Sequence, residues 1–127
     1  MLQLTYNSYK MLGATKVDAA GTRDQAEFFN VSKNDMIVPD NEMQREWPKE
    51  VLENKSLFAN YSRSAHGIGM LVMDVLARHL GVDPEEIKSR HKIEERAGDH
   101  VRITRGPPRA TTEMPEIQTP SHTDFGT

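Results

Sequence analysis

His122-Thr123-Asp124-Phe125-Gly126-Thr127 is the stretch on which the reading of this 127-residue chain turns. On an extended segment side chains repeat with period two, so the imidazole of His122 and the carboxylate of Asp124 point to the same side of the backbone. Two such donors, one nitrogen and one oxygen, can grip a single metal ion. They make an incomplete set, because a stable site needs at least one more protein ligand. A His-x-Asp triplet is also short enough to arise by chance, and taken alone it reads more readily as a solvated polar turn near the C-terminus. The order of the features before it decides between the two.

Working back from the triplet, His100-Val101-Arg102-Ile103-Thr104-Arg105 alternates strictly. The alternation predicts a strand with Val101 and Ile103 on one face and Arg102 and Thr104 on the other. Gly106-Pro107-Pro108 ends it, since proline supplies no donor to a ladder, and the polar residues through Pro120 read as a loop with at most a short strand. Upstream, Asp83-Pro84-Glu85-Glu86 carries an N-cap, a proline at the first helical position and an acidic first turn, predicting a helix that runs to about His91.

The strongest local signal is a helix from about Leu52 to Leu80. Phe58, Tyr61, Ala65, Ile68, Val72, Val75 and His79 recur at spacings of three and four, and we read that stripe as a core face. Gly67 and Gly69 weaken the helix and suggest close approach of another backbone. Gly81 stands where a left-handed cap would end it. Before the helix, Pro39-Asp40-Asn41 and Trp47-Pro48 mark an irregular connection anchored by Trp47 packing. Residues 22–31 fit either a helical turn capped by Thr22 or a strand from Ala26 to Val31, with Phe28 and Phe29 buried in both cases. Residues 1–21 show no sustained period and read as loop with at most a short helical or extended piece.

Composition bounds the classes of function. With no cysteine, disulfides, thiolate nucleophiles and cysteine-based zinc sites are excluded. The N-terminus lacks a basic segment followed by an apolar one, and no apolar run is long enough for a membrane span, so we expect a cytoplasmic protein. A net charge of −3 with both signs interspersed gives no electropositive field for nucleic acid. The hydrophobic fraction of 36% is low for a globular domain and is concentrated near the middle of the chain, as in a piece of a larger fold.

Taken in order, Tyr9-x-x-x-Gly13, the block from Arg23 to Val31, Trp47-Pro48, the apolar helix ending Leu80-Gly81-Val82-Asp83, the Val101-Arg102-Ile103-Thr104-Arg105-Gly106-Pro107-Pro108 strand and His122-Thr123-Asp124-Phe125-Gly126 resemble the isopenicillin N synthase-like family of Fe(II)/2-oxoglutarate-dependent dioxygenases. The resemblance spans most of residues 9–127 and is nearest to members serving natural-product pathways. It implies an α+β fold, a double-stranded β-helix or jelly roll with preceding bracing helices, present here incompletely. Residues 1–99 would be the bracing region and residues 100–127 the first strands of the jelly roll.

The resemblance further implies Fe(II) held by His122 and Asp124, with 2-oxoglutarate and dioxygen as cosubstrates in hydroxylating, desaturating or cyclising a small organic metabolite. A two-histidine, one-carboxylate facial triad is the ligand set of such iron centres. The family's second histidine and its Arg-x-Ser pair for the cosubstrate have no counterpart in these residues. The family's N-terminal strand and helix region is missing too, so we expect a sequence truncated at both ends and inactive alone. Thr104-Arg105-Gly106-Pro107 departs from the Asn-Tyr-Tyr-Pro strand of many members, and only His122 and Asp124 carry over.

Among the other histidines, His66 and His79 read as packing or boundary residues of the long helix, and His91 and His100 flank a charged connection. His100 is the strongest candidate among them for completing a metal site. Glu94-Glu95-Arg96 reads as solvated surface. Arg102 can face a cosubstrate or form a salt bridge within the sheet. The competing reading is a non-catalytic remnant or interaction protein that docks on a partner through the apolar face of its long helix.

Overall fold

A computed structural model describes residues 9–106 and Thr123. Along the chain lie β1 (Tyr9–Lys10), β2 (Glu27–Ser32), α1 (Lys33–Ile37), a 3-10 turn (Asp40–Glu42), α2 (Lys49–Glu53), α3 (Lys55–Leu80), α4 (Pro84–Lys88) and β3 (His100–Arg105). The architecture is mixed α+β, with a small three-stranded antiparallel sheet in the order β1-β2-β3. The described residues divide into two units, one up to Asn30 together with the chain from Arg102, the other Val31–Val101.

In the first unit, β1 pairs antiparallel with β2 in the register Tyr9↔Phe29 and Lys10↔Phe28. Of the two conformations open to residues 22–31, the chain takes the strand, as aromatic and β-branched residues favour. The connection folds back through a bridge between Lys16 and Arg23. Its turn is set by Asp18, whose carboxylate accepts from the Thr22 amide at 2.9 Å while Gly21 takes φ +85°. Phe28 and Phe29 are half-buried, correcting the expectation that both are buried. Arg102 and Lys10 lie over the Phe28 ring, 4.1 and 5.3 Å from its centroid.

In the second unit the core gathers on Val31, Met36, Trp47, Val51 and Ala77. Trp47 anchors its loop as expected and does so through a polar tip, with Nε1–H donating to the buried carboxylate of Asp35 at 3.0 Å. That carboxylate also accepts from the Gln44 amide at 3.1 Å, so one side chain stitches the irregular connection to α1. The predicted helix is divided at Asn54, whose φ of −109° and ψ of 16° leave the helical region. Its Nδ2 then donates to Glu50 O at 2.8 Å, the side-chain competition with backbone that makes asparagine a weak helix former.

Gly81 ends α3 at φ +71°, with Gly81 N donating to Arg78 O at 3.3 Å and Val82 N to Ala77 O at 2.9 Å, the bond pair of a Schellman cap. Asp83 caps α4 by accepting from the Glu85 amide at 3.0 Å. The helix stops at Lys88, three residues short of expectation, and single turns carry the backbone bonds on to His91. β3 has the predicted bounds.

The face of α3 that turns inward differs from the one its periodicity suggested. Phe58, Ser62, His66, Met70, Met73 and Ala77 are among the sheltered positions, and α1, α2 and α4 pack on the helix. Tyr61, Ala65, Ile68, Val72, Val75 and His79, read as a core face, are exposed. Ile68 is 63%, Leu71 69% and Val75 66% accessible. The packed side is interrupted by Ser62 and His66, so the neighbours of α3 took the less apolar of its two sides, which apolar spacing does not point to. Gly67 and Gly69 face open space as well, where an added Cβ would meet nothing within 4 Å among the described residues, contrary to the close approach expected there.

Candidate functional site

His122 and Asp124, the sequence-derived metal ligands, lie outside the described residues, and Thr123 between them is exposed. Among the described residues no three histidine, cysteine, aspartate or glutamate side chains are grouped so as to hold a metal ion. The reading in which His100 joins His122 and Asp124 falls outside the described residues. The Nδ1 of His100 lies 2.9 Å from Gly98 O, a local contact at the entry to β3.

Arg102 is held within the first unit by an amide and a ring. Its Nε donates to Asn30 Oδ1 at 2.9 Å and its guanidinium stacks on Phe28, a planar cation satisfied at once by an amide and an aromatic face. Its neighbours form ion pairs in the same unit. Arg105 pairs with Glu27 at 3.0 Å, and Tyr9 donates its hydroxyl to the same carboxylate. That hydroxyl bond, with help from Arg105, holds Glu27 below the usual glutamate range, and the same bond raises the Tyr9 phenol against the opposing charge of Arg105. Burial lowers the Lys10 ammonium, helped by the nearby Arg102 charge, although Lys10 is paired with Asp24.

Within the second unit lies a cleft of about 450 Å³ between α3 and the irregular segment that precedes β3. Lys33, first residue of α1 and only 4% exposed, builds its wall. Its ammonium donates to Ile93 O at 2.9 Å and Glu95 O at 2.7 Å, and faces the Asp99 carboxylate at 3.3 Å. Next to it Asn34 donates to Ala97 O at 2.9 Å and accepts from Ala97 N at 3.3 Å. Two consecutive residues thus order a segment that has no ladder or helix of its own. His66 enters the cleft from α3, and His91 and His100 from either end of the segment. Sequence reasoning passed over Lys33 because nothing in Lys33-Asn34-Asp35 shows that carbonyls some sixty positions away will need its donors.

A second feature is the outer face of α3, where Leu57, Tyr61, Ile68, Leu71, Val72, Val75, Leu76 and Leu80 stand exposed. No charged side chain interrupts these positions. The charges sit to one side, where Asp74 binds Arg78 at 2.7 Å and Lys88 of α4 at 3.4 Å. Hydrogen bonding from Arg78 holds the Asp74 carboxyl below its usual range and raises Arg78, and Glu85 with Asp74 raises Lys88.

No protein-family model matches the chain, and no curated protein or solved structure does so. Among the described residues no helix is long and apolar enough to cross a membrane.

Proposed function

We propose that this chain is part of an Fe(II)/2-oxoglutarate-dependent oxidoreductase in which α3 braces a jelly-roll sheet and His122 and Asp124 supply two of three iron ligands. The observation that carries the reading is the open apolar face of α3. A helix that packs one side on α1, α2 and α4 and leaves a second, more apolar side uncovered belongs between two layers. A bracing helix laid on a sheet has that requirement. The ordered motifs from Tyr9 to Gly126 supply the rest of the support. In such a protein the iron centre and 2-oxoglutarate supply the oxidising power, used on a small organic metabolite in a natural-product pathway of the cytoplasm. His122 and Asp124 anchor the metal and are neither acid nor base.

Anaerobic calorimetry with Fe(II) tests the assignment. We expect weak uptake by the 127-residue chain, abolished by His122→Ala and by Asp124→Ala, and no sustained 2-oxoglutarate consumption with iron and ascorbate. Uptake that is absent, or indifferent to both substitutions, rejects the ligand pair. Robust metal-dependent decarboxylation would overturn the expectation that this polypeptide is inactive alone.

The same apolar face also favours a second reading, a non-catalytic protein that associates through α3. The two readings separate on iron, which the second does not require.

A further inference from the structure

We infer that the cleft between α3 and the segment preceding β3 binds a small organic anion, with Arg96 holding its carboxylate or phosphate head. The chain carries a net charge of −3, yet this concavity reverses the sign, with Lys33, Arg90, Lys92 and Arg96 set against Glu95 and Asp99. Both carboxylates are engaged, Asp99 by Lys33 at 3.3 Å and Glu95 by Lys92 at 2.9 Å. Of the remaining cations, Arg90 bonds Glu86 of α4 at 3.1 Å. Arg96 has no ion pair or side-chain hydrogen bond among the described residues. A planar, fixed-charge fork is the side chain best matched to a carboxylate or phosphate.

Imidazoles of His66 and His91 share the cleft and add donors or acceptors for the same head group. Because no three metal-binding side chains converge among the described residues, a cation is the less suitable occupant. Ala65, Ile93 and Val101 give the walls an apolar part, and Tyr61 lends a ring at the rim, so the ligand carries a hydrocarbon or aromatic body. A volume of about 450 Å³ lies within the range of small-molecule sites. None of these residues belongs to the His122 and Asp124 pair, and the inference stands apart from the proposed iron chemistry.

Calorimetry on the full chain with benzoate, phenyl phosphate and inorganic phosphate tests it. We expect saturable binding of at least one aromatic anion, tighter than that of inorganic phosphate, and the better of the first two identifies the head group. Arg96→Ala should weaken it about tenfold, the scale of one hydrogen bond to a charged group. Arg96→Lys should recover part of the loss, and Lys16→Ala, removing an exposed cation of the other unit, should change nothing. Circular dichroism checks that each variant keeps its helix content. Absence of saturable binding, equal weakening by Arg96→Ala and Lys16→Ala, or inorganic phosphate binding as tightly as the aromatic anions would overturn the inference.

Discussion

Asp35 shows how one buried residue can set a connection that has no regular structure. At 2% exposure its carboxylate joins the indole of Trp47 to the backbone at Gln44, and Arg45 approaches at 3.9 Å. Truncation would take an acceptor from the buried indole and from the part-buried Gln44 amide. Asp35→Ala is therefore expected to cost about 2 kcal/mol, within the range for an orphaned buried donor, read from the midpoint of urea unfolding. Asp35→Asn, which keeps one acceptor, should cost less. A red shift of Trp47 fluorescence in the native state of the alanine variant would report the loosened loop. Identical midpoints for the wild-type and alanine chains would show that the indole bond is dispensable.

Among the elements, α3 and its junction with α4 make the most direct predictions. Gly81 holds φ +71°, a conformation costing a side-chain-bearing residue roughly 1–2 kcal/mol, so Gly81→Ala should lower the melting temperature although nothing would collide with the added Cβ. Asp74 gives a pH dependence. Its carboxyl is depressed in the fold by Arg78 and Lys88, so its contribution is present above the unfolded aspartate pKa and is lost as pH falls through the lower folded value. Lys88 is raised, so its share is lost only as pH rises through its folded value, above the ordinary lysine range. Thermal melts of wild type and Asp74→Asn should therefore differ at neutral pH and converge in acid. A difference that persists at the lowest pH would assign the effect to something besides this ion pair.

Legibility at this scale follows the range of the interactions. The Gly81 stop, the Asp83 cap and both ends of β3 were readable because each depends on neighbours within a few residues. The break at Asn54 was hidden by apolar spacing that runs on regardless. The phase of α3 was hidden for a different reason, since Phe58-Ser62-His66-Met70 and Tyr61-Ile68-Val75 are both acceptable stripes and packing chose the less apolar one. The cleft was not legible, because its walls come from α1, α3 and the 90–101 segment. His122 and Asp124 rest on spacing and on the order of the motifs, and lie outside the described residues.

At the scale of the molecule, most of the exposed large apolar side chains among the described residues lie on α3. Eight large apolar side chains along one 26-residue helix form a patch beyond what isolated surface hydrophobics explain. The 127-residue chain should associate with rising concentration in size-exclusion chromatography and should bind an apolar fluorescent dye. Leu71→Glu, placed mid-face at a position 69% exposed, should suppress both while leaving helix content unchanged. A wild-type chain that stays monomeric and dye-silent at every concentration would remove this face from both functional readings.

The hold of Lys33 and Asn34 on carbonyl and amide groups between Ile93 and Ala97 carries a thermodynamic implication. That segment borrows its order from α1, so unfolding α1 releases it, and the Ala97 amide should exchange with deuterated water only as fast as α1 opens. Conversely, any solute that occupies the hollow beside it would slow that exchange by mass action, giving a local readout of occupancy without a chromophore.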